Sequence, residues 1–166
     1  MDKSLTSFCP FAAVPFETFQ RRFPTAVLVL EEVGVVSDST GSYTLGVGSG
    51  VFRTGDPEVL VIVGKSPRAH PLRGWVTLGR SVRNDLEVKS EGISKFHCYL
   101  RQEGLDWVVL DARSRNGTRV NGDRLGPAEQ RLLRDGDALG LGESAILTYY
   151  SPRGLYQRIQ GAVRCG

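Results

Sequence analysis

The feature that most constrains the fold is a series of short apolar segments separated by turn signals, which continues to Tyr150. Dipeptides that favour tight turns, such as Asn116-Gly117 and Asp135-Gly136, interrupt the chain before any segment is long enough for a stable helix. The predicted strands are Val27–Leu30, Tyr43–Val47, Glu58–Val63, Trp75–Leu78, Asp85–Val88, His97–Gln102, Asp106–Leu110, Thr118–Val120, Ala138–Leu141 and Ala145–Tyr150. Short strands at such intervals predict an all-β sandwich.

Helical patterns flank these strands. Near the start of the chain, the Phe16, Phe19 and Phe23 side chains recur at helical spacing, although the first 23 residues otherwise look irregular. Near the end, Ser151-Pro152 has the form of an N-cap followed by proline at the first helical position. Downstream, Leu155, Ile159 and Val163 would line one face, which predicts a short amphipathic helix lying on the sandwich.

We therefore divide the chain into an N-terminal extension over residues 1–50, an all-β sandwich over 51–152 and a C-terminal amphipathic helix over 153–166. Residues 1–50 match no motif. Three interpretations stay open for them: they complete the sandwich, dock on it, or hold a partner helix.

Composition and charge give no support to several classes of function. A net charge of +3 does not by itself indicate a nucleic-acid-binding protein. The three cysteines are far apart and match no metal spacing, so we expect no metal and no cofactor. No apolar run approaches the roughly 18 residues of a membrane span, and the sequence shows no basic-then-apolar pattern of the kind expected for a signal peptide. A cytoplasmic protein with no membrane partner is the resulting expectation.

Three predicted loops carry residue types that suit an anionic ligand. They are Gly79–Asp85 with Arg80, Gly92–His97 with Ser94 and Lys95, and Ser114–Thr118 with Arg115 and Asn116. Guanidinium and ammonium groups form charge-assisted hydrogen bonds to phosphate, and hydroxyl and amide groups add neutral ones. Each loop alone is weak evidence, but their order along the chain is specific.

That ordered set closely resembles the forkhead-associated (FHA) domain family. The motifs that carry the resemblance are Gly79-Arg80, Asn84-Asp85, Ser94-Lys95-Phe96-His97, Asn116-Gly117-Thr118, Asn121-Gly122 and Leu133–Gly142. The resemblance covers about residues 58–152, just over half of the chain. It implies a β-sandwich of about eleven strands with binding loops at one end, and it implies phosphorylation-dependent protein–protein interaction in signalling.

The resemblance also implies roles for individual residues. Arg80, Ser94, Lys95 and Arg115 would contact the phosphate of a phosphothreonine, and Asn116 would hold the adjacent peptide backbone. Gly79, His97, Gly117 and Asn121 would support the site, with His97 bracing the loop that carries the serine. Gly92 has no side chain with which to read a charge on the peptide. The implied partner is a phosphothreonine-containing protein, the product of a serine/threonine kinase.

Other interpretations are open. A scaffold with the same fold could bind an unphosphorylated partner. A nucleic-acid-binding domain would explain Arg113, Arg115 and Arg119, but the interleaved aromatic residues of single-strand binders are missing. An enzyme using His97 and Cys98 as base and nucleophile is disfavoured, because adjacent residues of a strand point to opposite faces. We therefore expect no catalytic residues. The oligomeric state is left open.

Overall fold

The computed structural model describes residues 4–33, 36–37, 43–44, 58–61 and 74–164. Five residues of the predicted strands lie outside this part of the chain, namely Leu45–Val47, Ile62 and Val63, and so do Cys165 and Gly166 at the end of the predicted helix. A 3-10 helix spans Leu5–Ala13, and the α-helices are α1 (Phe16–Arg22) and α2 (Pro152–Arg164). The strands are β1 (Val27–Val33), β2 (Val36–Ser37), β3 (Tyr43–Thr44), β4 (Glu58–Val61), β5 (Val76–Gly79), β6 (Leu86–Glu87), β7 (Cys98–Glu103), β8 (Asp106–Asp111), β9 (Thr118–Val120), β10 (Asp123–Arg124), β11 (Gln130–Leu133), β12 (Ala138–Leu141) and β13 (Ala145–Tyr150).

Two sheets face each other, which confirms the predicted sandwich. The six-stranded sheet has the order β10-β9-β12-β13-β1-β4, and the five-stranded sheet has the order β11-β8-β7-β5-β6. A separate two-stranded ribbon pairs β2 with β3. Between the sheets lies a core of aliphatic residues from both, including Leu28, Leu78, Leu100, Leu139 and Leu147, all with no exposed surface. Burial of this apolar surface is the main contribution that holds the sheets together.

Strand β1 belongs to the sandwich, although it lies in the segment 1–50 that we set apart from it. It pairs antiparallel with β13 on one side and with β4 on the other. The sandwich therefore includes residues before position 51. The alternation of β1 explains its two contacts: Leu28 and Leu30 face the core between the sheets, whereas Val27 and Val29 face outward.

The outward face of β1 is covered by the helices at both ends of the chain. Val27 and Val29 join Phe8 and Phe19 from the N-terminal segment and Leu155 from α2 in a second apolar cluster. We call this cluster, with its three helices, the helical cap. Residues 4–23 thus dock on the sandwich, which was one of the three interpretations left open. Within the described part of the chain, no helix has the length and apolar character needed to cross a membrane.

Candidate functional site

The strand order of the five-stranded sheet brings three loops to one end of the sandwich. Strand β7 runs antiparallel to both of its neighbours, β5 and β8, with Leu78, Cys98 and Asp111 aligned across the three strands. The loop that leaves β5 (residues 80–85), the loop that enters β7 (88–97) and the loop that leaves β8 (112–117) therefore emerge together. We call them the Arg80, Ser94 and Arg115 loops.

These loops enclose a cleft of about 460 Å³ that is rich in cationic side chains. Arg80, Lys95 and Arg115 all line it, one from each loop, and all three are exposed. A single acid, Glu91, shares the lining. We call this the basic cleft. Within the described residues, no hydrogen bond or salt bridge engages the Arg80 guanidinium, so its donors are available to an anion.

Ser94 lies in the basic cleft with its hydroxyl oriented by the neighbouring loop. Its Oγ accepts a hydrogen bond of 3.0 Å from the backbone N–H of Arg115. A serine hydroxyl has one proton to donate and two lone pairs, so this contact fixes the oxygen while leaving the proton available. The same bond holds the Ser94 loop against the Arg115 loop.

Asn116 connects the Arg115 loop to the Ser94 loop and to the turn between β12 and β13. Its side-chain Nδ2 donates to the Gly92 carbonyl oxygen at 2.8 Å. Behind it, Gly142 adopts a φ of +60°, and a Cβ at that glycine would lie 2.6 Å from the Asn116 Cβ. The turn between β12 and β13 therefore packs directly against Asn116. This packing limits the positions available to the exposed amide, whose carbonyl oxygen can still accept a hydrogen bond from a ligand.

His97 lies below the cleft and not in it. The imidazole has no exposed surface, and its two nitrogens join two loops. Nδ1 accepts a hydrogen bond of 3.1 Å from the Ser94 backbone N–H, which places the ring proton on Nε2, 3.1 Å from the Gly117 carbonyl oxygen. Burial lowers the pKa of His97, although the Gly117 carbonyl and the nearby Asp111 carboxylate act in the opposite direction. The neutral ring suits this pair of contacts.

Gly79 allows the Arg80 and Ser94 loops to approach each other. A Cβ at this position would lie 2.5 Å from the Lys95 carbonyl oxygen and 2.8 Å from that of Ser94. The close approach lets the Arg80 backbone N–H donate to the Ser94 carbonyl oxygen at 3.1 Å. Because both obstacles are backbone atoms, a larger residue would have to displace a loop.

Gly117 and Asn121 occupy tight turns at the edge of the site. Gly117 has a φ of +79°, and a Cβ there would lie 2.5 Å from Nε of Arg124. Asn121, with a φ of +53°, donates to Asp137 and accepts from the backbone N–H of Ala138. Asn121 therefore braces a turn near the sheet and does not reach the basic cleft.

Two residues important for the site were given no individual role in the sequence analysis. The first is Asn84, which is buried and whose Nδ2 donates to the carbonyl oxygens of Ser81, at 2.9 Å, and Lys95, at 2.6 Å. It thus ties the Arg80 loop to the Ser94 loop. Its place in the Asn84-Asp85 motif was the signal that could have identified it.

The second is Asp111, at the end of β8. Its carboxylate accepts hydrogen bonds from the Ser114 backbone and hydroxyl groups and from the Thr118 hydroxyl. Burial opposes ionisation, but these hydrogen bonds and the neighbouring His97 outweigh it, so the pKa of Asp111 is lowered. An aspartate three residues before a serine at a strand end is a common turn pattern and could have signalled this role.

Cys98 points into the core between the sheets and has no exposed surface. Burial, with a smaller effect from Asp111, strongly raises the pKa of its thiol. A thiol in this environment is a poor nucleophile. No group of three metal-ligating side chains is found among the residues that the structure describes.

Comparison with known proteins agrees with this arrangement. The FHA domain model matches residues 76–142. An FHA domain-containing protein of Arabidopsis thaliana is 33% identical over 93 residues, which cover 52% of this chain and 24% of the relative. This chain thus corresponds to about a quarter of that relative's length.

Two solved structures show a similar fold. The solution structure of the FHA domain of an Arabidopsis thaliana hypothetical protein has a TM-score of 0.50 and 23% identity, covering 76% of this chain and 86% of that one. The crystal structure of full-length yeast Pml1p has a TM-score of 0.53 and 19% identity, covering 83% of this chain and 94% of that one. At these identities the likeness concerns the fold.

Proposed function

Since the chain carries an FHA domain over residues 76–142, we propose that its basic cleft binds a phosphothreonine in a partner protein. One observation carries this proposal. Three loops, distant in sequence, each direct one exposed cation into a single cleft that also contains the Ser94 hydroxyl. An anion bound in this cleft would be attracted by all three charges at once.

A phosphate monoester matches the donors of the cleft. It has three acceptor oxygens and a charge of roughly −1.5 to −2 near neutral pH. In the proposed complex the Arg80 guanidinium makes paired charge-assisted hydrogen bonds, and the Ser94 hydroxyl donates its free proton. Lys95 and Arg115 supply further positive charge, while Asn116 holds the peptide backbone beside the phosphothreonine.

The proposed role is recognition without catalysis. The cysteine that an enzyme hypothesis would use is enclosed in the core, and its neighbour His97 uses both ring nitrogens to brace loops. The partner is a protein phosphorylated by a serine/threonine kinase, and the result of binding is a phosphorylation-dependent complex. We place this interaction in the cytoplasm, where the free thiols of Cys9 and Cys98 would stay reduced.

Calorimetric titration with phosphothreonine peptides tests the proposal. We expect the wild-type protein to bind a subset of a phosphothreonine peptide library and to ignore the same peptides without phosphate. The substitution Arg80→Ala should cost roughly 2–5 kcal/mol, which is a loss of about thirtyfold or more in affinity, because a charge-assisted contact in the centre of the site is removed.

Arg83→Ala is the matched control. It removes the same charge from the same loop, but Arg83 is exposed and does not line the basic cleft. Its affinity should stay within a few-fold of wild type, as expected for a peripheral charge. Equal losses in the two variants would indicate a general effect of charge. Equal binding of phosphorylated and unphosphorylated peptides would favour the scaffold interpretation and contradict the proposal.

A further inference from the structure

Beside the basic cleft lies a second concavity of about 340 Å³, on the outer face of the five-stranded sheet. Its floor is formed by Tyr99 of β7 and Leu110 of β8, which are paired across the two strands and both half-buried. Ala112 and Arg113 form one rim, and Pro127 and Ala128 form the other. We call this concavity the apolar groove.

The apolar groove opens directly into the basic cleft. Tyr99 and Ala112 line both, so the two form one continuous surface. The groove and the cleft meet at Tyr99 and Ala112. The hydrogen bond between Asn116 and Gly92 lies elsewhere in the site, because neither of these two residues lines the groove. A peptide anchored by its phosphate in the cleft therefore has two ways out, one past Asn116 and one along the groove.

The lining of the groove suits an apolar occupant. Leucine, alanine and proline side chains and the tyrosine ring supply most of its surface. The carboxylate of Asp111, which also borders it, is already engaged by Ser114 and Thr118. An apolar side chain placed on the floor of the groove would bury apolar surface, whereas a polar side chain there would lose water to the same apolar surroundings.

Both rims of the groove have backbone conformations that side chains disfavour. Arg113 has a φ of +57° and Ala128 a φ of +59°. They are two of the three non-glycine residues with positive φ in the described part of the chain. Such conformations persist where the surrounding structure imposes them, and they are concentrated at ligand sites.

We propose, on the basis of the function proposed above, that the apolar groove binds an apolar side chain of the same phosphorylated partner. This side chain lies on the side of the phosphothreonine opposite the segment held by Asn116. The phosphate supplies the anchor, and the groove adds selectivity among phosphothreonine sequences. Gly92, which has no side chain, takes no part in this selectivity.

Positional scanning of phosphothreonine peptides tests the inference. The peptides are alanine-based, with leucine or glutamine placed in turn at each of about four positions on either side, because an extended chain advances ~3.3 Å per residue. For the wild-type protein we expect leucine to exceed glutamine by about tenfold in affinity at one or two positions, all on the same side of the phosphothreonine.

The substitution Leu110→Gln should abolish this preference without changing affinity for the peptide that has only alanines around the phosphothreonine. Ala128→Asn should reduce the preference in the same direction, and it avoids the folding risk because Ala128 is exposed and asparagine tolerates its backbone conformation. The matched control is Leu132→Gln, on the neighbouring strand β11 and outside the groove. This control should keep the preference.

The results of these titrations distinguish a failure of the groove inference from a failure of the proposed phosphothreonine binding. If the wild-type protein bound phosphothreonine peptides with no leucine preference, or if both groove variants kept that preference, the groove inference would be wrong and the proposed function would stand. If no phosphothreonine peptide bound at all, the proposed function would fail, and the groove inference with it.

Discussion

His97 holds two loops together through the two nitrogens of one buried ring. Because the ring is neutral, one nitrogen accepts from the Ser94 backbone and the other donates to the Gly117 carbonyl. Protonation would turn the accepting nitrogen into a donor and place it opposite the Ser94 N–H. Protonation of the His97 ring would therefore weaken the contact that holds the Ser94 loop.

This linkage predicts a pH dependence of stability. The pKa of His97 is lowered in the folded protein, so the unfolded chain binds more protons between that value and its ordinary pKa near 6.5. The free energy of unfolding should therefore be at its full value above about pH 6.5 and should fall as the pH drops below it. Urea unfolding of the ligand-free protein at several pH values measures this slope.

The variant His97→Gln provides the control. It should be less stable than wild type at neutral pH by about 1–3 kcal/mol, since buried backbone groups lose a partner. It should also lack the part of the slope that begins near pH 6.5. The same slope in both proteins would show that a group other than His97 is responsible. A normally stable variant that failed to bind phosphopeptide would show that His97 contacts the ligand.

At the scale of elements, α2 begins with a cap that links it to the sandwich. The Ser151 Oγ accepts from the Gly154 backbone N–H at 3.1 Å and donates to the Asp135 carboxylate at 2.9 Å. The Ser151 backbone N–H also bonds to Asp135, which lies in the turn before β12. The capping that the Ser151-Pro152 pair predicts thus has a tertiary partner that the local sequence does not reveal.

Ser151→Ala should therefore lower the free energy of unfolding by about 1 kcal/mol, the usual cost of losing an N-cap. Ser151→Thr keeps a hydroxyl and should recover most of the loss. Chemical denaturation of the three proteins measures both effects. Indistinguishable midpoints for Ser151→Ala and wild type would mean that water replaces the hydroxyl at no cost.

The strands differ in how clearly the local sequence predicts them. The predicted β9, β12 and β13 have the bounds found in the structure, because each short segment is bounded by strong turn signals. Strands β2, β10 and β11 were not predicted. Asp123 and Arg124 are exposed polar residues that are paired only because β9 lies beside them, and Gln130–Leu133 lies at the edge of its sheet. Tertiary pairing overrides local preference in such strands.

At the scale of the whole molecule, the chain has two apolar cores, one on each face of β1. The first lies between the sheets, and the second lies under the helical cap. In the cap, the ring of Phe19 has no exposed surface and contacts Phe23 and Tyr156, with ring centres 5.0 and 5.2 Å apart. The Tyr156 hydroxyl donates to the Val14 carbonyl oxygen at 2.6 Å. The N-terminal segment and α2 therefore pack together in one apolar cluster.

Phe19→Ala should lower the free energy of unfolding by roughly 3–5 kcal/mol, the cost of deleting a fully buried aromatic side chain. Leu105→Ala, at a position that is 94% exposed, should change it little. Affinity for phosphopeptides should be preserved, because the cap covers the six-stranded sheet and the binding loops extend from the other one. Thermal unfolding with and without peptide measures both quantities. A small effect of Phe19→Ala would indicate a cap that unfolds separately.

The sequence by itself determined the sandwich, the two terminal helices and the residue types of the site. Turn signals, strand periodicity and the motifs around Arg80, Ser94 and Asn116 are local properties, and local physics is enough to interpret them. The sequence could not determine that β1 joins the six-stranded sheet, which distant groups Asn84 and Asp111 bind, or that a groove adjoins the cleft. Each of these depends on which strands lie side by side, because pairing and burial are decided by contacts between residues distant in the chain.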